Sequence, residues 1–237
     1  MSEEPVVDDR PPARPQPRWG LGEAVAGYLV AFTLGNLVAG IWYEVGGEKE
    51  TLVSVATTLV ASWVGLAGAA VLASRLKGTG SLREDFGLRV HRRDVLPGLA
   101  FGIASHVLVL LLYLPFRLLN PDLDLSEEAR RVTDLGRGPG LVLLAVVLVV
   151  GAPVVEELFF RGLLQRSLER RFGPGWAVAG SALAFGVTHY QPLQLLGLVA
   201  FGVVLGVLTR RSGRLGPAVV AHATFNAATV AVLVAAR

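Results

Sequence analysis

The stretch GLVLLAVVLVVGAPVVEELFFRG, residues 140–162, decides how the chain is read. It is charge-free up to residue 155, then sets two adjacent carboxylates, Glu156 and Glu157, beside Arg161 at the edge of the apolar run. A membrane-crossing helix needs roughly 20 apolar residues, with about 17 at the lower edge. Working outward, charge-free stretches of that scale recur at 24–43, 51–74, 95–116, 174–190, 192–209 and 215–236, with 139–155 among them. None alternates polar and apolar faces as a soluble amphipathic helix does. The expectation is an all-α, polytopic helical membrane protein with about seven transmembrane helices. It forms one domain over residues 21–237, its polar motifs falling in 150–230.

Composition agrees, with 52% hydrophobic residues and a mean hydropathy of +0.54. Residues 1–20, MSEEPVVDDRPPARPQPRWG, hold five prolines and four acids and read as a disordered cytoplasmic tail. They lack the charged n-region, apolar core and cleavage site of a signal peptide. There is no cysteine, which removes disulfides, cysteine nucleophiles and thiolate metal ligands from consideration. Lys and Arg cluster in the tail and in 75–94, 156–173 and 210–214, alternate connections of the expected topology. By the positive-inside rule this places the N-terminus in the cytoplasm of a multi-pass cell-membrane protein. The basic balance therefore reads as an orientation signal. No aromatic-interleaved basic patch argues for nucleic acid, so the expected partners are the lipid bilayer and a membrane-associated peptide or protein.

Ionisable groups inside spans are costly unless paired or useful. Beyond Glu156, Glu157 and Arg161 they are few: His106, His189 and His222, joined by the polar Asn226. His106 stands alone in an apolar segment and reads as a helix-packing hydrogen-bonder. The others are spaced i, i+4, which puts them on shared helix faces. Glu157 and Arg161 form such a pair, as do Phe185 and His189, and His222 and Asn226. Interhelical hydrogen bonding explains any one of these. A carboxylate, two imidazoles and an amide together are also what activating a water and holding an oxyanion require.

EELFFR, FGVTH and HATFN, in that order, resemble the EExxxR, FxxxH and HxxxN motifs of the CPBP family, the CAAX-processing and bacteriocin-processing (Abi) intramembrane proteases. The resemblance implies peptide-bond hydrolysis and, from relatives with eight membrane helices, an eighth span. It implies that Glu156 is the general base acting with His189 on a water. It implies that His222 and Asn226 hold the oxyanion, while Glu157 and Arg161 form a supporting ion pair next to Phe185. No metal or other cofactor is expected to be required; if zinc is bound, Glu156, His189 and His222 are its ligands. The alternative is a non-catalytic membrane-binding or bacteriocin-immunity protein of the same fold. No GxSG serine or intramembrane aspartate pair supports a rhomboid-like or presenilin-like enzyme.

One geometric problem remains for the sequence reading. If residues 139–155 and 174–190 are straight, complete spans, Glu156 lies near one membrane face and His189 near the other. Meeting requires a kink at Pro153, a helix that starts deep at FGPG (172–175), or a tilted segment through GLLQRSLERR.

Overall fold

The computed structural model describes residues 17–48 and 51–237. All its regular elements are helices: α1 (Leu21–Glu44), α2 (Leu52–Lys77), α3 (Leu82–Phe86), α4 (Arg92–Leu119), α5 (Glu127–Asp134), α6 (Pro139–Phe172), α7 (Pro174–Val187), α8 (Leu195–Ser212) and α9 (Gly216–Ala235). Six of them, α1, α2, α4, α6, α8 and α9, are long and apolar enough to cross a membrane. The all-α polytopic reading is borne out, with two adjustments to the count of about seven. The expected span at 174–190 is the 14-residue α7, too short to cross alone. The expected connection 156–173 is instead the second half of the 34-residue α6.

The helix continues through those charges because the protein, not water, satisfies them. Arg161 and Glu157 are wholly buried and paired at 3.0 Å. One turn on, Gln165 donates to the Gly206 carbonyl at 3.1 Å and accepts from Ser181 at 3.0 Å. The chain reverses at Gly173, whose φ of +80° suits glycine, and Pro174 opens α7 at a position where its missing N–H costs nothing.

This α6–α7 hairpin resolves the depth problem. Glu156 lies sixteen residues before Phe172 and His189 fifteen after Pro174. At about 1.5 Å per residue the two arms are roughly 24 and 22 Å long, so both residues arrive at one depth, beside the middle of α6. α9 follows the same rule. Arg166 donates to the Gly213 carbonyl at 3.0 Å, fixing a common level. From there Glu156 is ten residues away and His222 nine.

α6 is not a uniform α-helix. Two wider π turns, Val147–Gly151 and Glu157–Leu164, flank Pro153, and the second contains the ion pair. In the first, the Ala152 N–H reaches back to the Val147 carbonyl. The Leu148 carbonyl thus loses that donor, and its π-register partner would be Pro153, which has none. Asn226 on α9 supplies the hydrogen bond at 2.8 Å.

The Lys- and Arg-rich segments gather at one end of the bundle. Arg18 N–H donates to the Lys77 carbonyl at 2.7 Å and Leu215 N–H to Gly87 at 2.9 Å. Arg214 holds the fully buried Asp94 at the start of α4. At the other end Arg237 bonds Gly136 at 3.1 Å, and Gln194 bonds Leu125 at 3.1 Å. Of the expected tail, residues 1–16 lie outside the described residues. Its last part is packed: Trp19 is 3% exposed, between Phe86 and the Arg170 guanidinium.

Candidate active site

The site is assembled by α6, α7 and α9. Successive residues on a helix point roughly 100° apart, so Glu156 and Glu157 serve different surroundings. Glu157 faces the protein interior, its side chain 0% exposed. Its Oε1 accepts from Arg161 Nη1 at 3.0 Å and from His222 Nδ1 at 2.9 Å. Arg161 donates through Nη2 to the Gly202 carbonyl at 3.1 Å, and its guanidinium lies 4.4 Å from the centre of the Phe185 ring. Gly202 lets α7 and α8 pack closely here, since a Cβ on it would meet the Ala182 Cα at 3.0 Å.

Glu156 faces a groove. Its side chain is 16% exposed, yet its Oε2 is enclosed and has no hydrogen-bond partner in the protein. That oxygen lies 3.9 Å from His189 Nε2 and 3.9 Å from His222 Nε2. These separations are too long for direct hydrogen bonds.

The outer nitrogens of both rings set their tautomers. His189 Nδ1 contacts the Phe185 carbonyl at 2.6 Å, one turn back on the end of α7. A carbonyl only accepts, so Nδ1 carries the proton. His222 Nδ1 meets the Glu157 carboxylate, with the same consequence. In a neutral imidazole the remaining nitrogen is then a bare acceptor. Two Nε2 lone pairs and a carboxylate oxygen thus converge on one space. Phe185, 1% exposed, packs against both rings, at 4.6 Å from His189 and 5.7 Å from His222.

Asn226 stands apart from the other three. Its Nδ2 is engaged with Leu148, one of its two N–H groups going to repair the π turn. His106 does pack between helices: its Nε2 bonds the Phe225 carbonyl at 2.8 Å and its ring stacks on Phe225 at 4.1 Å. Two contributions were not read from the sequence. Glu157 is a partner of His222 as well as of Arg161, and Gln165 extends the buried polar row by one more turn. The spacing Glu157, Arg161, Gln165 was the available signal.

The set Glu156, His189 and His222 was also tested as a zinc site. Ligands at about 2.0–2.1 Å on a tetrahedral ion lie roughly 3.3 Å apart, closer than the 3.9 Å found here. Among the described residues no group of three His or carboxylate ligands is gathered tightly enough to hold a metal. The outer-nitrogen partners are nonetheless the kind that orient histidines at metal centres.

Residues 138–228 match the family model described as type II CAAX prenyl endopeptidase Rce1-like. The match spans every motif residue from Glu156 to Asn226 and bears out the resemblance that those motifs carried. No curated protein and no solved structure matches the chain.

Proposed function

We propose that this protein is an intramembrane endopeptidase, hydrolysing a peptide bond in a membrane-associated substrate with a water activated by Glu156 and His189. One observation carries the reading. An enclosed Glu156 oxygen without a protein partner faces two proton-free imidazole nitrogens, each at 3.9 Å. Three acceptors around one space attract a hydrogen donor, and a water supplies two hydrogens while keeping its lone pairs for attack.

Glu156 takes one proton from that water as its oxygen adds to the substrate carbonyl carbon. His189 Nε2 accepts the water's second hydrogen and holds the nucleophile in line. The carbonyl oxygen becomes an oxyanion. His222 takes up a solvent proton at Nε2 when substrate enters, becomes an imidazolium against Glu157 and offers the oxyanion Nε2–H throughout the reaction, and the second N–H of Asn226 is the other donor. Collapse of the tetrahedral intermediate breaks the C–N bond, and Glu156 returns its proton to the leaving amine. Arg161 balances Glu157, so that the buried pair adds no net charge beside the reacting atoms. The reading needs no metal. It places the basic end, with the N-terminus, in the cytoplasm of a cell-membrane protein.

The test is cleavage of an internally quenched apolar peptide by purified protein in detergent, with metal content assayed in parallel. Turnover by the wild type and none by Glu156→Gln is expected. Equal cleavage by both would end the mechanism. No cleavage by either, with tight binding of the peptide, would favour a non-catalytic binding or immunity protein. Stoichiometric zinc lost from His189→Ala and His222→Ala would replace the metal-free scheme.

A further inference from the structure

The inference here rests on the hydrolytic reading above and adds the route by which substrate reaches Glu156. A cavity of about 570 Å³ extends from Glu156 and His189 between α1 and α2, past Phe32, Ser62 and Trp63. Along α1 its lining runs from Tyr28 to Ala39, roughly 16 Å at about 1.5 Å per residue. That length accommodates about five residues of extended peptide at roughly 3.3 Å each.

Two walls of this cavity, α1 and the segment after α7, are joined by one hydrogen bond. The Tyr28 and Tyr190 hydroxyls lie 2.6 Å apart, and Phe32 packs against both rings. Tyr190 is 65% exposed, and Tyr28 sits on a helix long and apolar enough to cross the membrane. In hydrocarbon a hydroxyl finds neither donor nor acceptor, and here each tyrosine satisfies the other. Separating them leaves two polar groups in need of partners. A lipid acyl chain has none to give. A peptide backbone carries a donor and an acceptor at nearly every residue. Tyr190 also adopts a φ of +55°, a left-handed conformation that a bulky side chain rarely takes, and the residue before it is His189. The turn that presents His189 to Glu156 is the turn that carries the second hydroxyl.

We propose that the Tyr28–Tyr190 pair is a lateral gate and selectivity element. It opens for a membrane-embedded, extended peptide segment and excludes lipid acyl chains, because only the peptide can satisfy the separated hydroxyls.

The chain has no cysteine, so a single Ser62→Cys reports on access to the groove without requiring activity. In liposomes, its labelling by an apolar maleimide should rise several-fold with either Tyr28→Phe or Tyr190→Phe. The double variant should add nothing, since both remove one shared bond. Val25→Cys, on the exposed side of α1, should label at one rate throughout. An apolar pentapeptide should protect Ser62→Cys in the wild-type background and a fatty acid of equal length should not; in Tyr28→Phe both should protect. Unchanged labelling in the Phe variants, additive effects, or equal protection by fatty acid in the wild type would each overturn the gate. Absence of cleavage would refute the proposed hydrolysis and leave the labelling result to decide the gate by itself.

Discussion

On one side of α6 the Glu156 carboxylate looks into a groove, with an oxygen that has no hydrogen-bond partner in the protein and two imidazoles 3.9 Å away. On the other side Glu157 is sealed in the bundle, accepting from an arginine and a histidine at 3.0 and 2.9 Å. The residue type is the same and the positions are adjacent. The difference lies in what each helix face meets. The face toward α8 and α9 finds the Gly202 carbonyl, which holds Arg161, and His222, which donates to the buried Glu157. The face toward α1 and α2 finds a cavity. Each carboxylate keeps one oxygen without a hydrogen-bond partner, but that of Glu157 is wholly buried beside Arg161 and His222, whereas Glu156 lines the cavity, where a water and a substrate can reach it. The proposed division of the adjacent glutamates between chemistry and support rests on this difference in surroundings.

Changes at four positions test that division, and the largest effect belongs to Glu156. Glu156→Gln keeps shape and removes the proposed base, so peptide cleavage should fall below detection while the thermal midpoint in detergent stays at the wild-type value. A midpoint drop comparable to that of a Glu157 variant would mean that the two carboxylates are not divided as described.

Arg161→Ala acts on the other face. It leaves Glu157 buried with only His222, and uncompensated buried charges cost roughly 3–5 kcal/mol. Folded yield and thermal stability should both drop. Normal stability with lost turnover would move Arg161 from support to catalysis.

Asn226→Ala removes a proposed oxyanion donor, a loss of about 100- to 1,000-fold in turnover. It also strips the Leu148 carbonyl of its partner at the π turn. Asn226→Asp sharpens the distinction. Its acidic side chain, when ionised, can donate to neither group, so stability and rate should fall together. A rate loss confined to kcat in Asn226→Ala, at unchanged stability, would show that the Leu148 bond contributes little to the fold.

The smallest effect is expected at His106, which bonds Phe225 one turn beyond His222 on α9. His106→Phe preserves the stacking and loses one hydrogen bond, about 1 kcal/mol of stability, with kcat/KM nearly unchanged. A large loss of activity would place His106 in the machinery that orients His222.

The sequence reading went furthest where local spacing carries the information. Glu157 with Arg161, Phe185 with His189, and His222 with Asn226 are each one helical turn apart; the first and third pairs each share a helix, while His189 sits in the turn just past α7, bonded back to Phe185. The reading broke at 156–173, where charges were taken to mark a loop. Charge marks the end of a span only when water is what solvates it. Here Arg161 and Gln165 find the carbonyls of Gly202 and Gly206, some forty residues on, and the helix runs through. The same error split α6 into a span and a connection and made α7 look like a complete crossing.

Hydrophobic length and the alternation of basic segments were enough, without any coordinates, to make this a polytopic helical membrane protein. The i, i+4 spacings picked out Glu157, His189 and His222 as polar helix faces, and the family resemblance of those motifs is what singled out Glu156. Periodicity along a chain determines which side chains share a face, because helix geometry is local. It does not determine what that face meets. The common depth of Glu156 and His189 depends on the equal arms of the α6–α7 hairpin. Pairing of Glu157 with His222 depends on α9 lying against α6, and the role of Asn226 at Leu148 depends on a π turn that Pro153 leaves unsatisfied. The tyrosine bridge joins residues 162 positions apart. These were decided by packing between helices, where a buried polar group takes whichever partner the neighbouring helix presents.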